Sequence, residues 1–427
     1  MKYKEIKKCR ICGNTNLKTI TDLGMQKLTG VFPLLESESE VAIAPLELVK
    51  CIPPKIGGGI KEVCGLVQLK HSCSGNEMYG DNYGYRSGLN QSMIKHLETI
   101  TDYIKKVKHL EPNDLVIDIG SNDGTLLRSY GQKNLDLLGV DPTGVKFKNY
   151  YPNYIELYPD FFSSDNIKMV RGNKKAKVVT SIAMFYDLEE PIQFAKDVRE
   201  VLDDDGIWIM EQSYMPSMIE TNSYDTICQE HLEFYCLKQI EWIAKSADLK
   251  VIHVEKNNAN GGSFRLVLTK RLSAAEPDES VVEMELFESK YDDLKEYVRF
   301  NEAIETSKIQ VRNFLEKAKS EGKKVYGYGA STKGNVMLQY CNITSDDLVA
   351  IAEVNEDKFG HVTPGTKIKI VSEDEAKRDN PDYFLVLPWH FRDNILEKEK
   401  EYRRKSGCKF VFCLPEFEIV DCNGEIL

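Results

Sequence analysis

Residues 115–127 read LVIDIGSNDGTLL. The apolar run Leu115–Ile119 ends in Gly-Ser-Asn-Asp-Gly and passes into helix formers, which describes a strand, a tight turn and the start of a helix. Gly120 and Gly124 let backbone approach a ligand closely at such a turn. The turn is not a phosphate cradle, because it lacks Gly-Lys-Ser/Thr and carries Asp118 and Asp123. Carboxylates repel a pyrophosphate but welcome an ammonium group and ribose hydroxyls, and S-adenosylmethionine offers both. The expected cofactor-binding residues are Asp118, Gly120, Ser121, Asn122, Asp123 and Gly124. A second strand, LDLLGVDPT, ends in Asp141 and Pro142, with Asp141 lying 23 residues after Asp118. An acid at that place commonly takes ribose hydroxyls, and an exposed strand end is expected there.

The alternation continues down the chain. KAKVVTSIA reads as a strand, PIQFAKDVREVL as an amphipathic helix, GIWIMEQSY as a strand and LKQIEWIAKSA as a helix. LKVIHVEK and GGSFRLVLTKR are two more strands joined by NNANGG, which has hairpin chemistry. Alternating elements closed by an antiparallel hairpin predict an α/β protein with a class I methyltransferase, Rossmann-like central domain. The rival, an NAD-binding unit, wants Gly-x-Gly-x-x-Gly, whereas GSNDG is Gly-x-x-x-Gly.

A chain of 427 residues implies two or three domains, and 42% hydrophobic content suffices for globular folding. No segment is long and apolar enough to span a bilayer, and no signal-like stretch follows the first residues, so a cytoplasmic protein is expected. The net charge of −11 and the lack of a basic block weigh against nucleic acid as a partner. Among the 11 cysteines, CRICG supplies Cys9 and Cys12, and KCIPPKIGGGIKEVCG supplies Cys51 and Cys64. Four soft ligands suit a closed, structural zinc site. Twelve residues separate the second pair, and the glycine-rich IGGG allows the chain to double back. His71 and Cys73 are alternative ligands, and buried thiols without metal are the bland reading.

After GIWIMEQSY comes SYDTICQEHLEFYCL, with Glu230 and His231 among aromatic residues. This insertion lies beyond the carboxyl end of a strand, where ligands bind in open parallel sheets, and is longer than most connections. Adjacent residues do not face each other on a helix, so one of the two is expected to point at substrate while the other anchors the segment. A histidine satisfied in a core is the plainer alternative.

MYGDNYGYRSG, DIGSNDGTLL, DTICQEHLEFY, NGGSFRL, YGYGASTKGN, TPGTKIKI and PDYFLVLPWHF occur in this order behind the N-terminal cysteines. Together they resemble the sugar C-methyltransferase family that acts on nucleotide-linked 4-keto-deoxy sugars. The resemblance implies a zinc-binding domain at 1–78, an S-adenosylmethionine-dependent methyltransferase domain at 79–271 and a C-terminal nucleotide-sugar-binding α/β domain at 272–427. It implies His231 as the base at sugar carbon 3, with Glu230, Tyr79, Tyr83 and Tyr85 beside it. It further implies Tyr83, Arg86, Ser87, Asn260, Ser263, Arg265, Lys333 and His390 as substrate-binding residues. Thymidine diphosphate is the commonest carrier in that family, with guanosine or cytidine diphosphate as alternatives, in a monomer or small homo-oligomer without nucleic acid or membrane. The chain departs from the pattern in having Cys228 where a tyrosine often stands, MFYDLEEP without a histidine, and a long Cys51–Cys64 spacing.

The segment from Glu276 to Glu321 reads as long charged helices with solvated faces. KKVYGYGASTKGNVML then reads as strand, glycine turn and helix, with Gly327, Gly329 and Gly334 either approaching an anion or making a purely structural turn. Two other functions compete. A nucleic-acid methyltransferase would want NPPY after the fourth strand or Pro-Cys, and a non-enzymatic zinc and nucleotide-binding module would not need the Glu-His insertion.

Overall fold

The computed structural model describes residues 3–56, 59–60, 62–73, 86–131 and 134–427. At its centre is a seven-stranded sheet of β1 (Leu115–Ile119), β2 (Asp136–Val140), β3 (Ile155–Tyr158), β4 (Ala176–Ile182), β5 (Leu202–Ser213), β6 (Leu249–Asn257) and β7 (Ser263–Lys270). The strand order is β3-β2-β1-β4-β5-β7-β6. β1 to β5 pair in parallel, whereas β7 runs antiparallel to both β5 and β6. This is the class I methyltransferase arrangement expected from the sequence. All five residues of β1 are buried, as a parallel strand covered on both faces requires.

The C-terminal part builds a second sheet from Ile370–Ser372, Ile351–Glu353, Val325–Tyr328, Tyr383–Val386, Lys409–Phe412 and Glu418–Val420, in that spatial order. Its last strand is antiparallel and the rest are parallel. The helix Lys295–Ser320 buries Tyr297, Phe300, Ile304, Val311, Phe314 and Ala318, a stripe at helical spacing. Its solvated faces agree with expectation, but the neighbouring helix Glu279–Glu288 hides one charge. Glu288 accepts hydrogen bonds from the Tyr214 hydroxyl (2.9 Å) and the Leu237 N–H (2.8 Å), which satisfies the carboxylate in the interior.

The N-terminal sheet pairs Leu17–Lys27 with Ile43–Cys51, and Ile43–Cys51 with Val67–Leu69. Its fourth strand comes from the long insertion: Glu233 and Phe234 pair antiparallel with Gln68 and Val67. The insertion also contains a helix, Met215–Glu220, that its sequence did not announce. Among the described residues, the N-terminal part has only a small cluster of its own, Leu28 and Ala42 with Val31 and Val41. Cys9, Cys51 and Cys64 pack with the central sheet, whereas Leu46, Leu48 and Leu69 pack with the insertion and the C-terminal sheet. No helix among the described residues is long and apolar enough to cross a membrane.

Candidate active site and metal centre

Cys9, Cys12, Cys51 and Cys64 converge, with all four sulfurs within 4.8 Å of one another. The Cys9–Cys64 and Cys12–Cys51 sulfur pairs are 3.4 and 3.5 Å apart. A tetrahedral zinc with Zn–S near 2.3 Å sets sulfurs about 3.8 Å apart, so the donor set and its size fit that ion. The knuckle is shaped by the Gly13 N–H donating to the Cys9 carbonyl (3.0 Å), with Gly13 at φ +70°. The long second spacing doubles back as a hairpin, Lys55–Ile56 against Gly59–Ile60. His71 and Cys73 lie outside this cluster, on a strand paired with Tyr3–Glu5, and are not ligands.

The turn after β1 is built for close approach. Gly120, Asn122 and Gly124 have φ of +73°, +51° and +74°. A Cβ on Gly120 would stand 3.0 Å from Met184 Cγ, and one on Gly124 would stand 3.0 Å from the Tyr151 ring. Asp141 is buried rather than exposed: its carboxylate takes the Asn122 N–H (2.7 Å) and both the N–H (2.7 Å) and hydroxyl (2.6 Å) of Thr143, while Pro142 beside it is exposed. Asp118 lies behind the turn and accepts from the Thr180 hydroxyl at 2.6 Å; burial pushes its carboxyl up to about 7. That bond ties β1 to β4 beneath the turn. Asp123 takes the Thr125 N–H and hydroxyl and the Gly88 N–H, and Ser121 bonds to the Tyr151 hydroxyl at 2.8 Å. Tyr151 and Thr180 were not legible in the sequence, because each reaches the turn from a different strand-end segment.

His231 is half-buried at the junction of the three sheets. Its Nδ1–H donates to the Thr226 carbonyl at 2.9 Å, which fixes the tautomer and leaves Nε2 as a lone pair without a hydrogen-bond partner among the described residues. Its ring sits 4.3 Å from that of Tyr186. Burial, followed by the charge of Lys333, drives its pKa down to about 3. The Glu230 carboxyl next to it makes no hydrogen bond among the described residues and is pushed up to about 7 by burial. It lies against Gly30, where a Cβ would fall 1.9 Å from Glu230 Oε1. The segment MFYDLEEP, which lacks a histidine, nonetheless joins the two sites: Met184 covers the donor turn and the Tyr186 ring packs, tilted by 60°, against His231.

Residues 9–79 match the family described as "Putative zinc binding domain", residues 89–254 "Methyltransferase domain" and residues 258–415 "C-methyltransferase C-terminal domain". The chain is 26% identical over 430 residues to C-methyltransferase NovU of Streptomyces niveus, covering 99% of each. The chain is an S-adenosylmethionine-dependent C-methyltransferase. The enzyme is also 28% identical over 129 residues to carboxy-S-adenosyl-L-methionine synthase of Nautilia profundicola, covering 29% of this chain and 55% of that one. An S-adenosylmethionine-dependent methyltransferase structure from Clostridium acetobutylicum aligns with 42% of the enzyme and 92% of itself at 13% identity and TM-score 0.33, a likeness that carries no argument.

The other expected substrate residues divide into groups. Lys333 donates to the Asn260 carbonyl at 2.7 Å, and the adjoining Gly261 lies against Trp389 and His390, so these meet near His231. His390 has a buried, unpaired Nδ1 and a pKa held well below the ordinary histidine value by burial. Arg86 and Ser87 gather instead on the donor turn: the Ser87 N–H donates to Asn122 Oδ1 (2.9 Å), and the Arg86 guanidinium lies 4.3 Å from the Tyr150 ring centroid. Arg265 is committed to Glu211 and Glu255 at 2.9 and 2.8 Å, and Ser263 donates to the Ala259 carbonyl. Tyr79, Tyr83 and Tyr85 lie outside the described residues. In the C-terminal turn Gly329 abuts Pro388, Gly327 abuts Ile351 and Gly334 abuts Leu387; Glu353 accepts the Ala330 N–H at 2.8 Å. All three glycines thus serve packing within the chain.

Three outcomes follow from this geometry. Metal analysis after reducing, chelator-free purification should return one zinc per chain, and Cys9→Ser should lower both metal content and melting temperature. Asp141→Ala should weaken S-adenosylmethionine binding about tenfold by calorimetry and also lower stability, since it orphans the buried N–H of Asn122. For His231, the unfolded chain takes a proton near pH 6.5 and the folded chain only near 3. Between those values the unfolded state binds more protons, so stability falls as pH drops. In denaturant titrations at pH 7 and 5, His231→Gln should show a smaller loss than the parent; an equal loss would mean that the folded imidazole protonates freely.

Proposed function

We propose that the enzyme methylates carbon 3 of a nucleotide-linked 4-keto-6-deoxy sugar in cytoplasmic deoxysugar biosynthesis, with His231 removing the carbon-3 proton. A ketone at carbon 4 acidifies that proton, and its removal needs a base with a free lone pair near neutral pH. The observation that carries this reading is the unpartnered Nε2 of His231, whose tautomer is set by the Thr226 carbonyl. The low basicity of the empty site keeps the imidazole neutral; an enolate forming beside it favours imidazolium as the proton arrives. S-adenosylmethionine, when bound at the glycine turn, supplies the electrophilic methyl group.

NovU, a C-methyltransferase similar over its whole length, supports a carbon acceptor. Glu230, raised to about 7 by burial and without a hydrogen bond among the described residues, is suited to bond a sugar hydroxyl. Lys333 and His390 are assigned to the nucleotide-sugar side, with Tyr79, Tyr83 and Tyr85 as donors to the enolate oxygen. A thymidine diphosphate carrier is favoured over guanosine or cytidine diphosphate. The chain is read as units 1–78, 79–271 and 272–427, acting as a monomer or small homo-oligomer.

His231→Ala should bind both ligands yet lower turnover roughly a hundredfold or more. In deuterated water, with a demethylated cofactor analogue present, it should also slow hydrogen exchange at carbon 3. Exchange at the parent rate would assign the deprotonation to another group. Labelled methyl donor offered against a panel of 4-keto nucleotide sugars would identify the carrier.

A further inference from the structure

Arg10 stands inside the metal knuckle, between Cys9 and Cys12, with a side chain only 3% exposed. Its backbone N–H and Nη1 donate to Gln68 Oε1 at 3.1 and 3.4 Å, and Nη1 also donates to the Leu69 carbonyl at 2.8 Å. Nη2 donates to Ser72 Oγ at 2.8 Å and Nε to Glu189 Oε2 at 3.4 Å. Nε also faces Glu233 Oε1 at 3.7 Å.

Glu233 is unusual in its place. Its side chain is 0% exposed, and neither carboxylate oxygen has a hydrogen bond. Arg10 is its sole cationic partner among the described residues. Burial holds this enclosed carboxyl well above its ordinary range, an effect that the Arg10 guanidinium opposes, and removing either partner leaves the other uncompensated. The flanking Leu232 and Phe234 are apolar and buried, so the strand does not need a charge for packing. Glu233 is also the ladder partner of Gln68, the residue that Arg10 grips.

His231 is two residues away. The Leu232 N–H donates to the Tyr186 carbonyl and the Leu232 carbonyl accepts from the Leu69 N–H, both at 2.8 Å. The Tyr186 ring in turn packs against that of His231. One guanidinium therefore contacts the strand 67–69, the strand that follows His231, and, through its own backbone, the metal-binding cysteines. Metal bound by Cys9 and Cys12 would fix the backbone from which that guanidinium extends.

We propose that Arg10 and Glu233 are positioning residues for His231, and that they couple occupancy of the zinc site to the setting of the imidazole. This rests on the reading of His231 as the base. The pair holds the QEH segment in register, so loss of either side chain lets the strand shift and misplaces Nε2 without touching either ligand.

The test uses full-length enzyme carrying Arg10→Met, Arg10→Lys or Glu233→Gln, the last being nearly isosteric. Folded variants should keep zinc and donor affinity while turnover falls about tenfold, the size of effect that one coupled contact carries. The imidazole resonances of His231, assigned by their loss in His231→Gln, should move in Arg10→Met and Glu233→Gln and on chelation of zinc from the parent. Arg10→Met combined with Glu233→Gln should cost no more than the worse single change, and Arg10→Lys should restore part of the loss. Should Arg10→Met fail to fold, Glu233→Gln decides the matter. Unmoved resonances with parental turnover would overturn the coupling. Undiminished turnover in His231→Ala would instead overturn the base assignment, leaving the resonance shifts to report on the coupling alone.

Discussion

The pairing of Glu233 and Phe234 with Gln68 and Val67 is the constraint on which the site depends. A long connection at the carboxyl edge of a sheet would ordinarily be mobile, with its backbone solvated. Here its end becomes a strand of another sheet. Shortly before that strand it is gripped by Gln229, which accepts from the Thr29 N–H and hydroxyl and donates to the Gln26 carbonyl. Glu230 and His231, between these anchors, have almost no freedom to leave the junction.

Partial burial sets chemical states at that junction. It lowers His231 to about 3, which favours the neutral imidazole, and raises Glu230 to about 7, so its two forms are comparable at neutral pH. Lys333 and His390 are shifted down by the same desolvation. Groups so placed respond to any charge a ligand brings, because protein replaces part of their solvent shell.

The four-sulfur cluster has a role that matches this geometry. Among the described residues, the N-terminal part has only a small cluster of its own around Leu28 and Ala42 and divides most of its buried apolar residues between two larger cores. A metal binding Cys9 and Cys12 to Cys51 and Cys64 closes chain loops of some 40–55 residues and supplies cohesion that burial does not. Because the strand Val67–Leu69 follows closely on Cys64, a rigid cluster also means a rigid template for the insertion.

Much of this was legible from residues alone. Apolar runs such as LVIDI, the glycine turn and the closing NNANGG hairpin announce the central sheet, because strand burial and turn conformation are local properties of the chain. The paired cysteines announce a metal centre for the same reason, and QEH stands out by its place after a strand. What the sequence could not tell is where side chains distant in the chain meet. Asp141 and Asp118 read as ligand-facing acids, yet they also bond within the chain, to Asn122 and Thr143 and to Thr180. Arg265 is spent on Glu211, and Tyr151, Met184 and Tyr186 enter the site from segments with no motif. Local pattern determines which elements form, whereas the tautomer of His231, the burial of Glu233 and the reach of Arg10 arise only when three sheets close on one another and exclude water.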